Sequence, residues 1–260
     1  MLVITMKTEL WKLKRYNMIW AGVLLMLLAV LLTVFTTTAM DGTVWTFSHF
    51  ADQVMKENIT TIFPMCIALI TGYIINREGS DDTLKSILTI PVSFPALLFG
   101  KLTAGGLLAL FLGLASTVFT VAASFLLGFP GGELPAILQA AAQITFNCLF
   151  LYIAVLPIIA IAARLPNGHL IGAIVAFVYG YGGMFAAGNM TLANLYPVTA
   201  SMGLVGYRSY DAAVHWNPPA CALSLLITLL IAAVFVVTAK KSAAPKAVRK
   251  PKQVITKKGW

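Results

Sequence analysis

The chain has 260 residues, of which 59% are hydrophobic and only 10% are charged, and its mean hydropathy is +0.88. A soluble domain needs roughly 25% charged residues to cover its surface, so the composition excludes an ordinary soluble protein. The net charge of +9 does not indicate a nucleic-acid partner, because the basic residues cluster beside apolar runs and no nucleic-acid-binding motif is evident. We expect the lipid bilayer to be the main environment of this chain.

The N-terminal segment, residues 1–17, has the pattern of an amphipathic helix. Val3, Met6, Leu10 and Leu13 recur at helical spacing, and lysines stand between them. This pattern predicts an interfacial helix that lies on the cytoplasmic membrane surface with its apolar face towards the lipid. The alternative is a simple cytoplasmic extension of the first span.

Six segments have the length and apolar character of transmembrane helices, which need about 20 mostly apolar residues. We therefore predict an all-α membrane protein whose permease domain occupies residues 18–239. The basic segment 240–260 contains no acidic residue and is expected to be a disordered cytoplasmic tail. The predicted spans are Met18–Ala39, Ile59–Ile75, Ala96–Leu127, Ala136–Ala162, His169–Asn189 and Pro218–Ala239.

The basic residues predict the orientation of these spans. With the N-terminus in the cytoplasm, 16 of the 18 Lys and Arg residues fall on the cytoplasmic side, and only Lys56 and Arg208 fall outside. Cytoplasmic loops carry such an excess of positive charge in most membrane proteins. Six spans then place both termini in the cytoplasm.

No motif for enzymatic chemistry is present in the sequence. It lacks a Walker A loop, H-E-x-x-H, C-x-x-C and G-x-S-x-G. His49 and His215 are both predicted outside, near Asp52 and Asp211, but loop histidines are usually only solvated. We expect no catalytic residue, no bound metal and no cofactor on this chain.

The nine acidic residues all lie at or beyond the ends of the predicted spans. Carriers that are coupled to protons or sodium ions usually need ionisable groups within the membrane. An ion-coupled carrier is therefore disfavoured, and transport would need energy from another subunit.

Uncharged polar residues form a stripe on the fourth predicted span. Gln139, Gln143 and Asn147 recur every four residues and share one helix face, which cannot face lipid without loss of hydrogen bonds. They are candidates for the lining of a substrate path. The alternative is interhelical hydrogen bonding without a role in transport.

Small residues define a second face on the fifth span. Gly168, Gly172, Ala176 and Gly180 share that face and predict close helix packing. The following segment, 194–210, is long and partly apolar. We expect it to dip back towards the membrane as short helices that are covered by protein.

The loop between the second and third spans carries the most informative pattern. Its residues Glu78, Asp81, Asp82, Thr83, Leu84, Lys85 and Ser86 precede a Pro91-Val92-Ser93 step. This pattern, together with the opening Thr8-Glu9-Leu10-Trp11-Lys12, resembles the type-2 ABC exporter permeases, and especially their bacitracin- and lantibiotic-immunity members. Length and span number also match this family.

The resemblance implies the permease subunit of an ABC exporter in the plasma membrane of a bacterium. It implies a second permease, identical or homologous, and a partner ABC ATPase that binds ATP and Mg²⁺. The seven loop residues would form the coupling helix that contacts this ATPase, and the substrate would be a membrane-active peptide exported for resistance or immunity. A solvated turn is the alternative for the loop, and a non-transporting signalling or scaffold subunit is the alternative for the chain.

The charge distribution gives a direct test of the topology. Reporter fusions after Gly42, Gly131 and Tyr210 are expected to lie outside, and fusions after Ser80, Asn167 and Ala247 inside, because of the positive-inside rule. Alkaline phosphatase and fluorescent-protein reporters measure the two locations. A cytoplasmic reporter after Gly131 would contradict the six-span topology.

Overall fold

A computed structural model describes residues 2–13, 17–38, 45–80, 93–165, 168–209 and 214–239. All regular structure in these ranges is helical. The α-helices are α1 (Leu2–Leu13), α2 (Met18–Thr38), α3 (Phe47–Glu57), α4 (Phe63–Ser80), α5 (Phe94–Leu126), α6 (Leu134–Ala162), α7 (Gly168–Ala186), α8 (Met190–Leu195), α9 (Pro197–Leu204) and α10 (Pro218–Val237), and a π-helical turn (Asn58–Ile62) joins α3 to α4.

The helical architecture confirms the prediction of an all-α membrane protein. Five helices, α2, α5, α6, α7 and α10, are each long and apolar enough to cross a membrane. The consecutive pair α3 and α4, bent by 51°, gives a sixth candidate when it is counted as one broken span. Large apolar side chains such as Leu24, Phe35, Val118 and Leu230 are exposed along these helices, as expected for surfaces that face lipid.

The second span differs from the prediction that it covers Ile59–Ile75 alone. Residues 47–57, which were assigned to an outer loop, form α3. Thr46 caps this helix by accepting a hydrogen bond from the backbone N–H of His49. The apolar face of α3 is buried, but its polar residues keep the mean hydropathy of the helix low. The π-helical turn follows because Pro64 has no N–H to donate to the carbonyl of Thr60, which interrupts the regular helix.

Small residues bring the helices of the core into close contact. An added Cβ on Gly113 of α5 would lie 2.8 Å from the Cα of Thr145 on α6. The predicted packing face of α7 is confirmed, since Gly168, Gly172, Ala176 and Gly180 are all buried. A Cβ on Gly180 would lie 2.9 Å from the Pro64 side chain, so α7 packs directly against the broken span.

Two ends of the bundle can be distinguished by the short helices that they carry. The α1 end contains α1, the ends of α4, α6 and α10, and the starts of α2, α5 and α7. Arg164 at this end donates to the carbonyl of Phe235 and, at 2.9 Å, to the Thr238 hydroxyl, which joins α6 to α10. The α9 end contains α8, α9 and the start of α3, where the Phe47 N–H donates to the Pro130 carbonyl at 2.9 Å.

Candidate coupling and substrate-contacting residues

A buried ion pair lies at the α1 end and joins three helices. The Nζ of Lys101, in the second turn of α5, is 3.3 Å from the Oε2 of Glu9 on α1 and donates to the carbonyl of Ile74 on α4 at 3.1 Å. Lys12 adds a second ammonium group, 2.7 Å from the Oε1 of Glu9. Both Glu9 and Lys101 are 2% exposed, so α1 is fixed to the bundle by charges that water barely reaches.

This pair was not predicted from the sequence. Lys101 was counted as a residue at the cytoplasmic end of a span, and Glu9 as an acid beyond the spans. A lysine two turns inside an apolar helix signals a partner, because an unpaired charge is costly there. The sequence contains no indication that this partner stands 92 residues earlier.

The end of α7 next to this pair is also held by a polar side chain. Asn76 of α4 is buried, and its amide oxygen, in the orientation that the surrounding donors require, accepts from the backbone N–H groups of Gly168 at 3.2 Å and His169 at 3.0 Å. These N–H groups have no partner within the helix, so Asn76 caps α7 from a neighbouring helix. The α1 end therefore holds α1, α4, α5 and α7 by polar contacts.

Of the predicted coupling residues, Glu78 lies within the described part of the chain. It belongs to the last turn of α4, at the α1 end of the bundle. Asp81, Asp82, Thr83, Leu84, Lys85 and Ser86 lie outside the described residues. Their role in coupling stays a prediction.

The predicted amide stripe lies on α6 and faces α9 and the chain that follows it. Gln143 donates through Nε2 to the carbonyls of Val205 at 3.0 Å and Gly206 at 3.1 Å. The buried Asn147 accepts from the Ser201 hydroxyl at 2.9 Å. Exposed Gln139 makes only a 3.4 Å contact with Arg208. The bonds of Gln143 and Asn147 agree with the alternative of interhelical hydrogen bonding. A role of the stripe in a substrate path stays a prediction.

The short helices α8 and α9 agree with the expectation for segment 194–210. Residues of α9 from Val198 to Gly203 are buried by the surrounding helices. Asn194 joins α8 to the residues that precede α10. Its Nδ2 donates to the carbonyl of His215 at 3.4 Å, and its Oδ1 accepts from the N–H of Asn217 at 3.0 Å. Helix α9 is thus covered by protein, as expected for a short helix that dips towards the membrane.

Tyr196, between α8 and α9, fixes this pair of helices to α7. Its hydroxyl donates to the carbonyl of Tyr179 at 2.6 Å. Burial raises the pKa of Tyr196 to about 12, so the hydroxyl keeps its proton at any physiological pH. This contact is therefore insensitive to pH.

Comparison with known proteins assigns the family. The family model of the ABC-2 family transporter protein matches residues 5–183, which include most of α1, all of α2 to α6, the loop with the predicted coupling residues and most of α7. The chain belongs to this family. No curated protein sequence matches it. The chain is thus a multi-pass membrane permease of an ABC transporter, a class in which the ATPase activity lies in a separate subunit.

The ion pair predicts a strong dependence of the permease on both of its charges. Glu9→Leu leaves the ammonium of Lys101 buried without a carboxylate, so we expect a destabilisation of roughly 3–5 kcal/mol, the usual cost of breaking a buried pair. Glu9→Leu combined with Lys101→Met removes both charges and is expected to recover most of the loss. The thermal unfolding midpoint of the purified permease measures this, with Lys7→Met, an exposed lysine of α1, as the control. Additive losses in the double variant would contradict a direct pairing.

The amide stripe predicts different costs along one helix face. Gln143→Leu leaves the carbonyls of Val205 and Gly206 without this donor, and we expect a loss of about 0.6 kcal/mol or more, the average for such bonds in membranes. Gln139→Leu is the matched control and is expected to be neutral, because Gln139 is exposed and makes only a long contact. Unfolding in a mixed detergent titration measures both. Equal effects of the two variants would show that the bonds of Gln143 are unimportant.

Proposed function

We propose that the permease exports a membrane-active peptide from the bilayer, for resistance or immunity, with energy from ATP hydrolysis by a partner ATPase. In this proposal the α1 end faces the cytoplasm of a bacterial cell and the α9 end faces outward. Two permeases, identical or homologous, combine with the ATPase subunits. The ATP and Mg²⁺ are held by the ATPase.

Polar groups within the bundle form hydrogen bonds with other groups of the bundle, and this observation supports an amphipathic substrate. Asn147 and Gln143 bond to α9 and its following residues, and the intramembrane hydroxyls of Thr33, Thr117 and Thr120 donate to carbonyls of their own helices. In the described residues this leaves surfaces that are mostly apolar. A hydrophilic solute finds few polar partners on these surfaces. A substrate that is already dissolved in lipid binds them through apolar contacts.

A large lateral groove agrees with a lipid-borne substrate. It has a volume of about 480 Å³ and lies between α5, α6 and α10, in the half of the bundle nearer the α1 end. Its polar side chains are satisfied internally, since Thr103 donates to the carbonyl of Phe99 at 2.9 Å and Tyr152 to that of Leu102 at 2.5 Å. The groove therefore offers only dispersion contacts to what enters it.

An ion-coupled carrier is a weaker alternative. The buried Glu9 is neutralised by Lys101 and Lys12, and this group lies at one end of the bundle. A coupling site that loads and releases an ion needs a carboxylate whose charge is free to change in the course of transport. The two carboxylate oxygens of Glu9 already face the ammonium groups of Lys12 and Lys101, so neither oxygen is available to a coupling ion.

The coupling loop provides the test of the partnership with the ATPase. Replacing Asp81, Asp82 and Lys85 with Ala is expected to leave the permease in the membrane and to reduce ATPase binding, because the resemblance assigns the contact to this loop. Co-purification at physiological salt and substrate-stimulated ATP turnover measure the effect. Glu133→Ala, which removes an exposed charge at the α9 end, is the control. Unchanged ATPase binding in the triple variant would place the contact elsewhere.

The substrate class is tested in cells that express the permease with its ATPase. Challenge with bacitracin and with a lantibiotic is expected to show resistance that disappears when the ATPase carries an inactive nucleotide site. An intact complex that protects against none of these peptides would favour the signalling or scaffold alternative.

A further inference from the structure

A second cavity lies at the α9 end, on the opposite side of the bundle from the groove described above. Its volume is about 300 Å³, at the lower end of the range for sites that hold small molecules. It lies between the π-helical turn, α7, α8, α9 and the residues from Tyr207 to Trp216 that the structure describes. We call it the α9-end cavity.

One helix interruption and one glycine border this space. The 51° bend between α3 and α4 contains Ile59 and Thr60, which line the cavity. Gly183 of α7 lines it from the other side, and a Cβ there would lie 3.3 Å from the Val198 side chain. Membrane transporters commonly place substrate sites at discontinuous helices, and π-helical turns are frequent at functional sites.

The walls are mostly apolar and their hydroxyl groups are already bonded. Ile59 and Met202 are buried, and the indole of Trp216 packs against the backbone of Gly203. Thr199 donates to the carbonyl of Ala193 at 2.6 Å, and Thr60 to that of Lys56 at 3.1 Å. These threonines therefore need no hydrogen bond from a ligand.

Two donors of the lining residues have no such partner among the residues that the structure describes. Lys56 is the one charged side chain among the described residues that line it, and its side chain is exposed. The Nε1–H of Trp216 is buried and has no acceptor within the described part of the chain. A buried N–H without an acceptor costs free energy, which a ligand oxygen recovers. No carboxylate among the described lining residues opposes an anion.

We propose that the α9-end cavity binds the head of an anionic amphiphile. A phosphate or carboxylate group pairs with Lys56 and accepts from Trp216 Nε1, and the adjoining apolar segment lies against Ile59 and Met202. The volume admits one such head and a short apolar segment, not a whole peptide. This inference rests on the proposed function, for which it supplies a binding site where a lipid-borne substrate leaves the permease.

A direct test uses the permease alone in phosphatidylcholine nanodiscs, with dodecyl phosphate as the probe. Met184 is half exposed and lines the cavity, so Met184→Cys provides a thiol there for a water-soluble maleimide. The native cysteines, Cys66, Cys148 and Cys221, are buried and should react slowly. Leu192→Cys, an exposed position of α8 outside the cavity, is the control.

We expect dodecyl phosphate to slow the labelling of Met184→Cys about tenfold at a concentration about ten times its Kd, because only the free state reacts. Labelling of Leu192→Cys should not change. Adding Lys56→Met should remove the protection, whereas Arg208→Met, which removes the other basic side chain described at this end, should preserve it. Phosphatidylglycerol nanodiscs that protect Met184→Cys without the probe would identify a bilayer lipid as the source of the anion.

The proposal is overturned if dodecyl maltoside, a neutral amphiphile with the same chain, protects as well as dodecyl phosphate, or if Lys56→Met leaves the protection intact. The measurement needs neither ATP nor the ATPase. Protection without any ATP-driven export in cells would therefore reject the proposed function but support this binding site. Normal export without protection would support the proposed function but reject this binding site.

Discussion

Hydrocarbon offers no hydrogen-bond partner, and this constraint determines where the polar side chains of the permease lie. The Glu9–Lys101 pair shows it most clearly, because each charge is 2% exposed and each needs the other. Several hydroxyls of the spans meet the same requirement by donating to carbonyls of their own helices, as Thr117 does to Gly113.

The two ends satisfy this constraint with different chemistry. At the α1 end, full charges join α1, α4 and α5, and the amide of Asn76 caps α7. At the α9 end, neutral amides and hydroxyls such as those of Gln143 and Ser201 hold short helices in place. Neutral hydrogen bonds in membranes contribute less than a broken buried charge pair would cost, so the α9 end is the more easily rearranged. This difference suits a permease that receives force at one end and opens at the other.

The five long apolar helices, α2, α5, α6, α7 and α10, were all predicted from the sequence, because apolar length is a local property. The bounds of α2, α5, α6 and α10 differ from the predicted ones by about two residues, within the usual error. Helix α3 was missed because polar residues such as Asp52 and Lys56 lower its mean hydropathy, although much of the helix is buried, Asp52 included. The stripe of Gln139, Gln143 and Asn147 was evident from spacing, but its partners on α9 depend on tertiary structure. The α9-end cavity, which arises where several helices meet, had no local signal.

The Glu9–Lys101 pair also sets an order for biosynthesis. Lys101 is synthesised 92 residues after Glu9. At about 5–20 residues per second, the ribosome needs about 5–20 seconds to cover that distance. During this interval the carboxylate of Glu9 must remain hydrated, because a lone charge is expensive in lipid. Docking of α1 therefore waits for the insertion of α5, although α2, α3 and α4 are translated between these two helices.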